Sequence, residues 1–214
     1  MNSRVPALLL AILLLTQSSA HALVMDEFFP QSRSQYRAGV EALENERYPE
    51  AIALGREYVR QEPGEGRAHL ILVLAWYGQG EHQAIKRHLR ELGARFPEMA
   101  QSIRASLMEL YARAGDADTA LAHFGRIASE ARTADLYVLA GDLYHRGNRM
   151  DRAVASYASA LELAPRHEGA RLGLARTHLV SGDFDGAARH AEQLLGQHEQ
   201  HRGALTIAAT AYLR

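Results

Sequence analysis

The sequence of 214 residues contains no cysteine. That excludes disulfides, thiolate metal sites, a cysteine nucleophile and a lipidated N-terminal cysteine. Lysine is nearly absent as well: among 24 basic residues Lys86 is the only one that is not arginine, a coding bias rather than a functional signal. A basic excess is missing too. The 24 Lys and Arg face 25 Asp and Glu, for a formal net charge of −1, which argues against a dedicated nucleic-acid binder. Only six prolines are present and no tract is of low complexity, so long disorder is not expected. What remains, 47 % hydrophobic and 23 % charged residues, is the composition of a packed globular chain.

Catalytic signatures are also lacking. No G-x-S-x-G, H-E-x-x-H or G-x-x-x-x-G-K occurs. Gly64-Glu65-Gly66 and Gly78-Gln79-Gly80 begin like a dinucleotide loop, but neither has the third glycine, and both read as turns between helices. Carboxylates used as acid and base need different environments. Glu44, Glu46 and Glu50, like Asp183 and Asp185, read instead as solvated turns. No catalytic residue, cofactor or metal is expected.

Residues 1–22 have the three parts of a cleavable secretory signal. Arg4 supplies the positive start, residues 7–15 form an apolar run of nine, and the polar end closes on Ala20 and Ala22 in A-x-A spacing. The apolar run is far short of the ~20 residues a spanning helix needs. Cleavage after Ala22 leaves a mature chain starting at Leu23, with no membrane span, and a periplasmic address (secretion being the second choice).

Beyond a short extension, residues 23–31, the chain repeats itself with a period near 34. The clearest copy is 134–167, with Tyr137, Gly141, Tyr144, Ala153, Tyr157, Ala160 and Pro165 at its positions 4, 8, 11, 20, 24, 27 and 32. Related copies occupy 32–65, 66–100, 101–133 and 168–201, and residues 202–214 begin a sixth that stops after one helix. Small residues (Gly39, Ala51, Ala120, Ala175 and Ala187, with Gly141 and Ala153) recur where two helices come closest, beside bulky Tyr111, Phe124, Tyr144 and Tyr157. Gly80, Gly115 and Gly182, with Asn148 in their place in the fourth copy, fall where a first helix must end in a left-handed residue. Pro63, Pro97 and Pro165 end the second helices. A coiled coil would need a seven-residue period and few glycines. The spacing instead resembles the tetratricopeptide repeat (TPR) superfamily, W-x2-L-G-x2-Y, then A-x3-F, then P.

That resemblance implies an all-α fold, a right-handed superhelical solenoid of antiparallel helix pairs, with about five repeats and a half. It also implies a concave groove lined by positions 2, 5, 9, 12 and 13 of each first helix. On this chain those positions include Tyr36, Val40 and Leu43; Arg67, Leu70, Leu74 and Tyr77; Arg113; Asp142, His145 and Arg146; and Arg176. The first two repeats offer a contiguous apolar strip, the kind of surface that marks a partner site, unless residues 23–30 cover it as a terminal cap. The Lys and Asn with which chaperone-binding relatives grip a C-terminal carboxylate are missing, because positions 5 and 9 hold other residues.

Three functions follow from these readings. The first is a non-enzymatic adaptor that holds a protein or peptide in the groove in the bacterial envelope. It resembles TPR proteins of exopolysaccharide export, pilus assembly and outer-membrane complexes. The second is the N-terminal part of a longer TPR protein with a catalytic or membrane domain downstream. The third is a histidine-dependent metal protein, for which His198 and His201, three apart on a turn, are the tightest pair. His178, standing where other repeats have a packing tyrosine, reads as a core histidine. The last half-repeat, apolar on most sides through Ala204, Leu205, Ile207, Ala208, Ala211, Tyr212 and Leu213, points to self-association, since a solenoid end ordinarily carries a polar face.

Overall fold

The computed structural model describes residues 30–214, with side chains from residue 34 onward. The signal-like segment and residues 23–29 of the extension lie outside the described residues, while Pro30 and Gln31 already belong to the first helix. The described residues form α-helices and one short 3-10 turn, with no strand. They fall into two compact bodies that divide at Gly115 and Asp116.

The N-terminal body contains α1 (Pro30–Glu44), α2 (Tyr48–Gln61), α3 (Gly66–Gln79), α4 (His82–Arg95) and α5 (Pro97–Arg113). Each helix packs on the next, and α1–α3 and α3–α5 also touch. Pro97 does not merely follow a second helix. It is the first residue of α5, separated from the end of α4 by Phe96 alone, where its missing N–H costs nothing. The sequence GRAHLILVLAWYGQ makes α3 apolar on every side, and its residues from Ala68 to Tyr77 are all buried. A helix of that kind belongs to an interior rather than a surface. Its neighbours come close through glycine: a Cβ on Gly39 would lie 2.6 Å from the Ile71 side chain, and one on Gly55 2.9 Å from that of Leu72.

The C-terminal body contains α6 (Ala117–Phe124), α7 (Ala134–Arg146), α8 (Met150–Leu163), α9 (Glu168–Ser181), α10 (Phe184–Leu195) and α11 (Arg202–Tyr212). Again each helix packs on its successor, with α7–α9 and α9–α11 in contact. This i, i+1, i+2 pattern is that of a helix-pair solenoid. The short α6 departs from the full second helix expected of its repeat. It ends at Gly125, and Ile127 turns back into the core. Arg132 holds the non-helical stretch: its guanidinium lies 4.6 Å over Phe124, and its Nε–H donates to the Ile127 carbonyl at 3.0 Å.

Turn chemistry matches the sequence reading. Gly80, Gly115, Gly182 and Asn148 are left-handed, and Glu46 takes the same role in the first turn, where the sequence shows no glycine. Caps recur with the repeat. His167 and His201 each accept an N–H through Nδ1, from Ala170 at 3.3 Å and Ala204 at 3.0 Å. Each then donates from Nε2, at 2.9 Å, to the acid at the start of its own repeat, Asp135 or Glu168. The imidazole folds over the glycine two residues on, 3.3 Å from a Cβ on Gly169 and 3.2 Å from one on Gly203.

The core of the C-terminal body turns on Tyr157, which is fully buried. Its ring would lie 2.6 Å from a Cβ on Gly141 of α7 and 2.4 Å from one on Gly173 of α9. Gly173→Ala is therefore expected to destabilise this body by about 1–3 kcal/mol, the usual range for overpacking, measured as a lowered midpoint in urea unfolding.

The N-terminal body pairs a buried histidine, His69, with the half-buried His88. His69 Nε2–H donates to the Pro63 carbonyl at 2.9 Å, so its Nδ1 accepts from His88 Nε2–H, also at 2.9 Å. Trp76 meets the His88 ring edge-on, centroids 5.2 Å apart. Burial, and then His69, push the His88 pKa down to about 4. The unfolded chain takes up this proton near the ordinary histidine pKa of about 6.5, so below that pH it binds more protons than the folded chain. Stability is expected to fall as pH drops from about 6.5 to about 4, and to fall less steeply in His88→Gln, read by thermal melts across the window.

Candidate functional site

The first helices of the C-terminal body bring a polar cluster together on α7 and α9. Asp142 is placed one residue after the glycine that admits Tyr157, so its carboxylate meets the tyrosine hydroxyl. Tyr157 Oη–H donates to Asp142 Oδ1 at 2.6 Å, and Arg176 Nη2–H donates to the same oxygen at 3.0 Å. Burial and this carboxylate raise the Tyr157 pKa, so the hydroxyl stays a donor. The Asp142 and Arg176 side chains remain 39 % and 48 % exposed. Asp142 Oδ2 and the remaining Arg176 N–H groups are thus available to a ligand.

One turn further along α7, His145 meets Thr177 at 3.0 Å. The Thr177 hydroxyl spends its own proton on the Gly173 carbonyl at 2.8 Å. His145 Nδ1 must therefore carry the donated proton, which leaves Nε2 as an acceptor. Burial, and then the Arg176 charge, lower the His145 pKa against the opposing pull of Asp142. The imidazole is accordingly neutral at neutral pH. Arg146, exposed beside it, caps the Asp142 carbonyl at 3.4 Å. The cluster offers a carboxylate oxygen, guanidinium donors and a neutral imidazole acceptor within two helices, a set suited to gripping peptide groups.

The structure therefore gathers Asp142, His145, Arg146 and Arg176. In the N-terminal body it gathers Tyr36 and Arg67, whose guanidinium lies 5.4 Å over the tyrosine ring, with Glu65 bonded to Arg67 at 3.1 Å. Val40 is half-buried, and Arg113 is exposed at the end of α5. The apolar strip is corrected. Leu43, Leu70, Leu74 and Tyr77 are buried, because α1 and the all-round apolar α3 turn these side chains inward. Tyr77 packs edge-on against Tyr111, centroids 5.2 Å apart. Tyr157 and Thr177 went unnoticed as site residues, since one sits at a packing position and the other outside the groove positions. Their signal was the polar tip each carries on a core face.

His178 and His201 make structural contacts. His178 is half-buried, and its Nδ1–H donates to Asp183 Oδ2 at 2.8 Å, while Asp183 Oδ1 caps Gly186 N–H of α10 at 2.9 Å. Asp183 is thus a helix cap rather than a purely solvated charge. Glu168 approaches both His198, at 3.7 Å, and His201, at 2.9 Å, but both His201 nitrogens are already spent on the cap and on Glu168.

Models of the tetratricopeptide repeat match residues 36–84 and 107–168 in one form and 144–211 in another. The chain belongs to the tetratricopeptide-repeat family. Solved structures share its fold. Yeast Tom70 is 20 % identical with a TM-score of 0.58, aligned over 97 % of this chain and 46 % of its own. A tetratricopeptide repeat protein from Parabacteroides merdae is 17 % identical with a TM-score of 0.55, over 85 % of this chain and 72 % of its own. PilW, a type IV pilus biogenesis factor, is 17 % identical with a TM-score of 0.50, over 85 % and 89 %. No curated protein sequence matches this TPR chain. Among its described residues no helix is long and apolar enough to cross a membrane.

Proposed function

We propose that this TPR chain is a non-enzymatic scaffold that receives a partner's peptide segment on the α7–α9 face. The half-exposed Asp142–Arg176 pair, anchored from below by Tyr157, carries this reading. An ion pair held by a buried tyrosine is ordered before any ligand arrives, so little side-chain entropy is lost on binding. The signal-like residues 1–22 support work in the bacterial envelope. PilW, a pilus biogenesis factor with the same fold, illustrates the kind of assembly role intended. Asp142→Ala with Arg176→Ala is expected to abolish capture of the envelope partner while circular dichroism keeps its helical signal. Undiminished capture would refute the α7–α9 site.

A second contact is favoured by α11. Ala204, Ile207, Ala208 and Ala211 are buried, while Leu205, Tyr212 and Leu213 are 47 %, 69 % and 86 % exposed. With Ala209, also exposed, they form one stripe spaced by three or four residues. Burying a few hundred Å² of such surface is worth several kcal/mol at about 25 cal/mol per Å². The full chain is expected to self-associate at high concentration, and Leu205→Ser with Leu213→Ser to return it to monomer by sedimentation equilibrium.

A further inference from the structure

The second helix α4 carries a charge pattern that the peptide-binding reading does not use. Its inward side is Ile85, Leu89 and Leu92, all buried. That fixes the opposite side toward solvent, where Lys86, Arg87, Arg90 and Arg95 are all exposed. Glu91 is the only acid on the helix, so its 14 residues carry four cations against one anion in a chain whose net charge is −1. None of the four cations enters an ion pair among the described residues; Arg95 rests 5.6 Å over the ring of Phe96. By contrast, the arginine of α2 nearest its end is neutralised locally, with Arg60 paired to Glu57 at 2.6 Å.

The other exposed residues of α4 are His82, Gln83, Glu91 and Ala94. The face therefore has no aromatic or large aliphatic side chain to fill a partner's pocket. Protein interfaces concentrate much of their energy in buried aromatic anchors set in pockets. A broad cationic face without an anchor suits a polyanionic surface that asks only for charge. We infer that the outer face of α4 is an electrostatic docking surface for an anionic phospholipid bilayer. The contact is peripheral: the apolar side of α4 is committed to the core and cannot insert. It is also salt-sensitive, because exposed charges are screened over about 10 Å at 0.1 M salt.

The test is co-sedimentation of the full chain with vesicles of phosphatidylcholine alone or with phosphatidylglycerol added, at low and at moderate salt. Binding is expected to be stronger on the anionic vesicles and to weaken with salt. Each basic residue near such a surface contributes about 1 kcal/mol. The triple change Lys86→Gln, Arg87→Gln, Arg90→Gln should therefore lower the anionic-lipid component about 100-fold. Changing Arg152, Arg166 and Arg189 of the C-terminal body to Gln should leave it within a fewfold of the parent. A circular dichroism spectrum matching the parent shows that the triple variant has folded; if it has not, Lys86→Gln alone, on the exposed face, should give a fewfold loss. Equal binding to both vesicle types, an anionic-lipid preference that survives the triple change, or tighter capture by soluble polyglutamate than by the anionic vesicles would each overturn the assignment. Loss of the Asp142–Arg176 pair leaves this binding unaffected, so failure of one reading is separable from failure of the other.

Discussion

The C-terminal body depends on one contact: the ring of Tyr157 wedged against two glycines from neighbouring first helices. Gly141 and Gly173 let α7 and α9 approach the ring more closely than any side chain would permit. The buried hydroxyl then needs an acceptor, and Asp142 supplies it. Because that acceptor is a carboxylate at the body's edge, it recruits Arg176 from the next repeat. A packing requirement thus produces an ordered surface charge pair. Thr177, one residue further along α9, repeats the logic with His145 by handing its own proton to the Gly173 carbonyl and so fixing which imidazole nitrogen stays bare.

The N-terminal body solves the same packing problem with aliphatic and aromatic partners for its glycines. Gly39 and Gly55 meet Ile71 and Leu72, Gly78 meets the ring of Tyr48, and the hydroxyl of the buried Tyr111 meets His82 Nδ1 at 2.7 Å. In the His69–His88 pair one imidazole is anchored on the Pro63 carbonyl and the other packs edge-on against Trp76. Two bodies built on one repeat therefore present different chemistry, and the difference traces to single positions.

The repeat was legible because its demands are local. Small residues at 8 and 20, a glycine or asparagine at the turn and a bulky group beside them are written in the order of the chain. Gly80, Gly115, Gly182 and Asn148 took the left-handed backbone that their positions require. The burial of Leu70, Leu74 and Tyr77 was harder to read. Groove position and interior position look alike in a helix that is apolar all round, and only the absence of any polar stripe on α3 separated them. The shortened α6 was also hidden, because it depends on Arg132 reaching back over Phe124 and onto the Ile127 carbonyl, a contact between residues that no repeat pattern links. Asp142, His145, Arg146 and Arg176 of the polar cluster were visible as groove residues. Tyr157 and Thr177 were not, since each first satisfies the core and only then the surface.

The histidine caps have a further consequence for how such a chain changes length. Both stand in His-x-Gly-Ala, at His167–Ala170 and His201–Ala204, one 34-residue period apart. Each joins the start of one repeat to an acid in the repeat before it. Excising residues 168–201 would place His167 directly before Arg202-Gly203-Ala204, restoring the same cap while the bond to Asp135 is untouched. The cap is therefore modular at the level of individual protons: a whole repeat can leave or be duplicated and the cap re-forms, whereas the contacts of Asp142 with Arg176 and of His145 with Thr177 belong to this one pair of repeats.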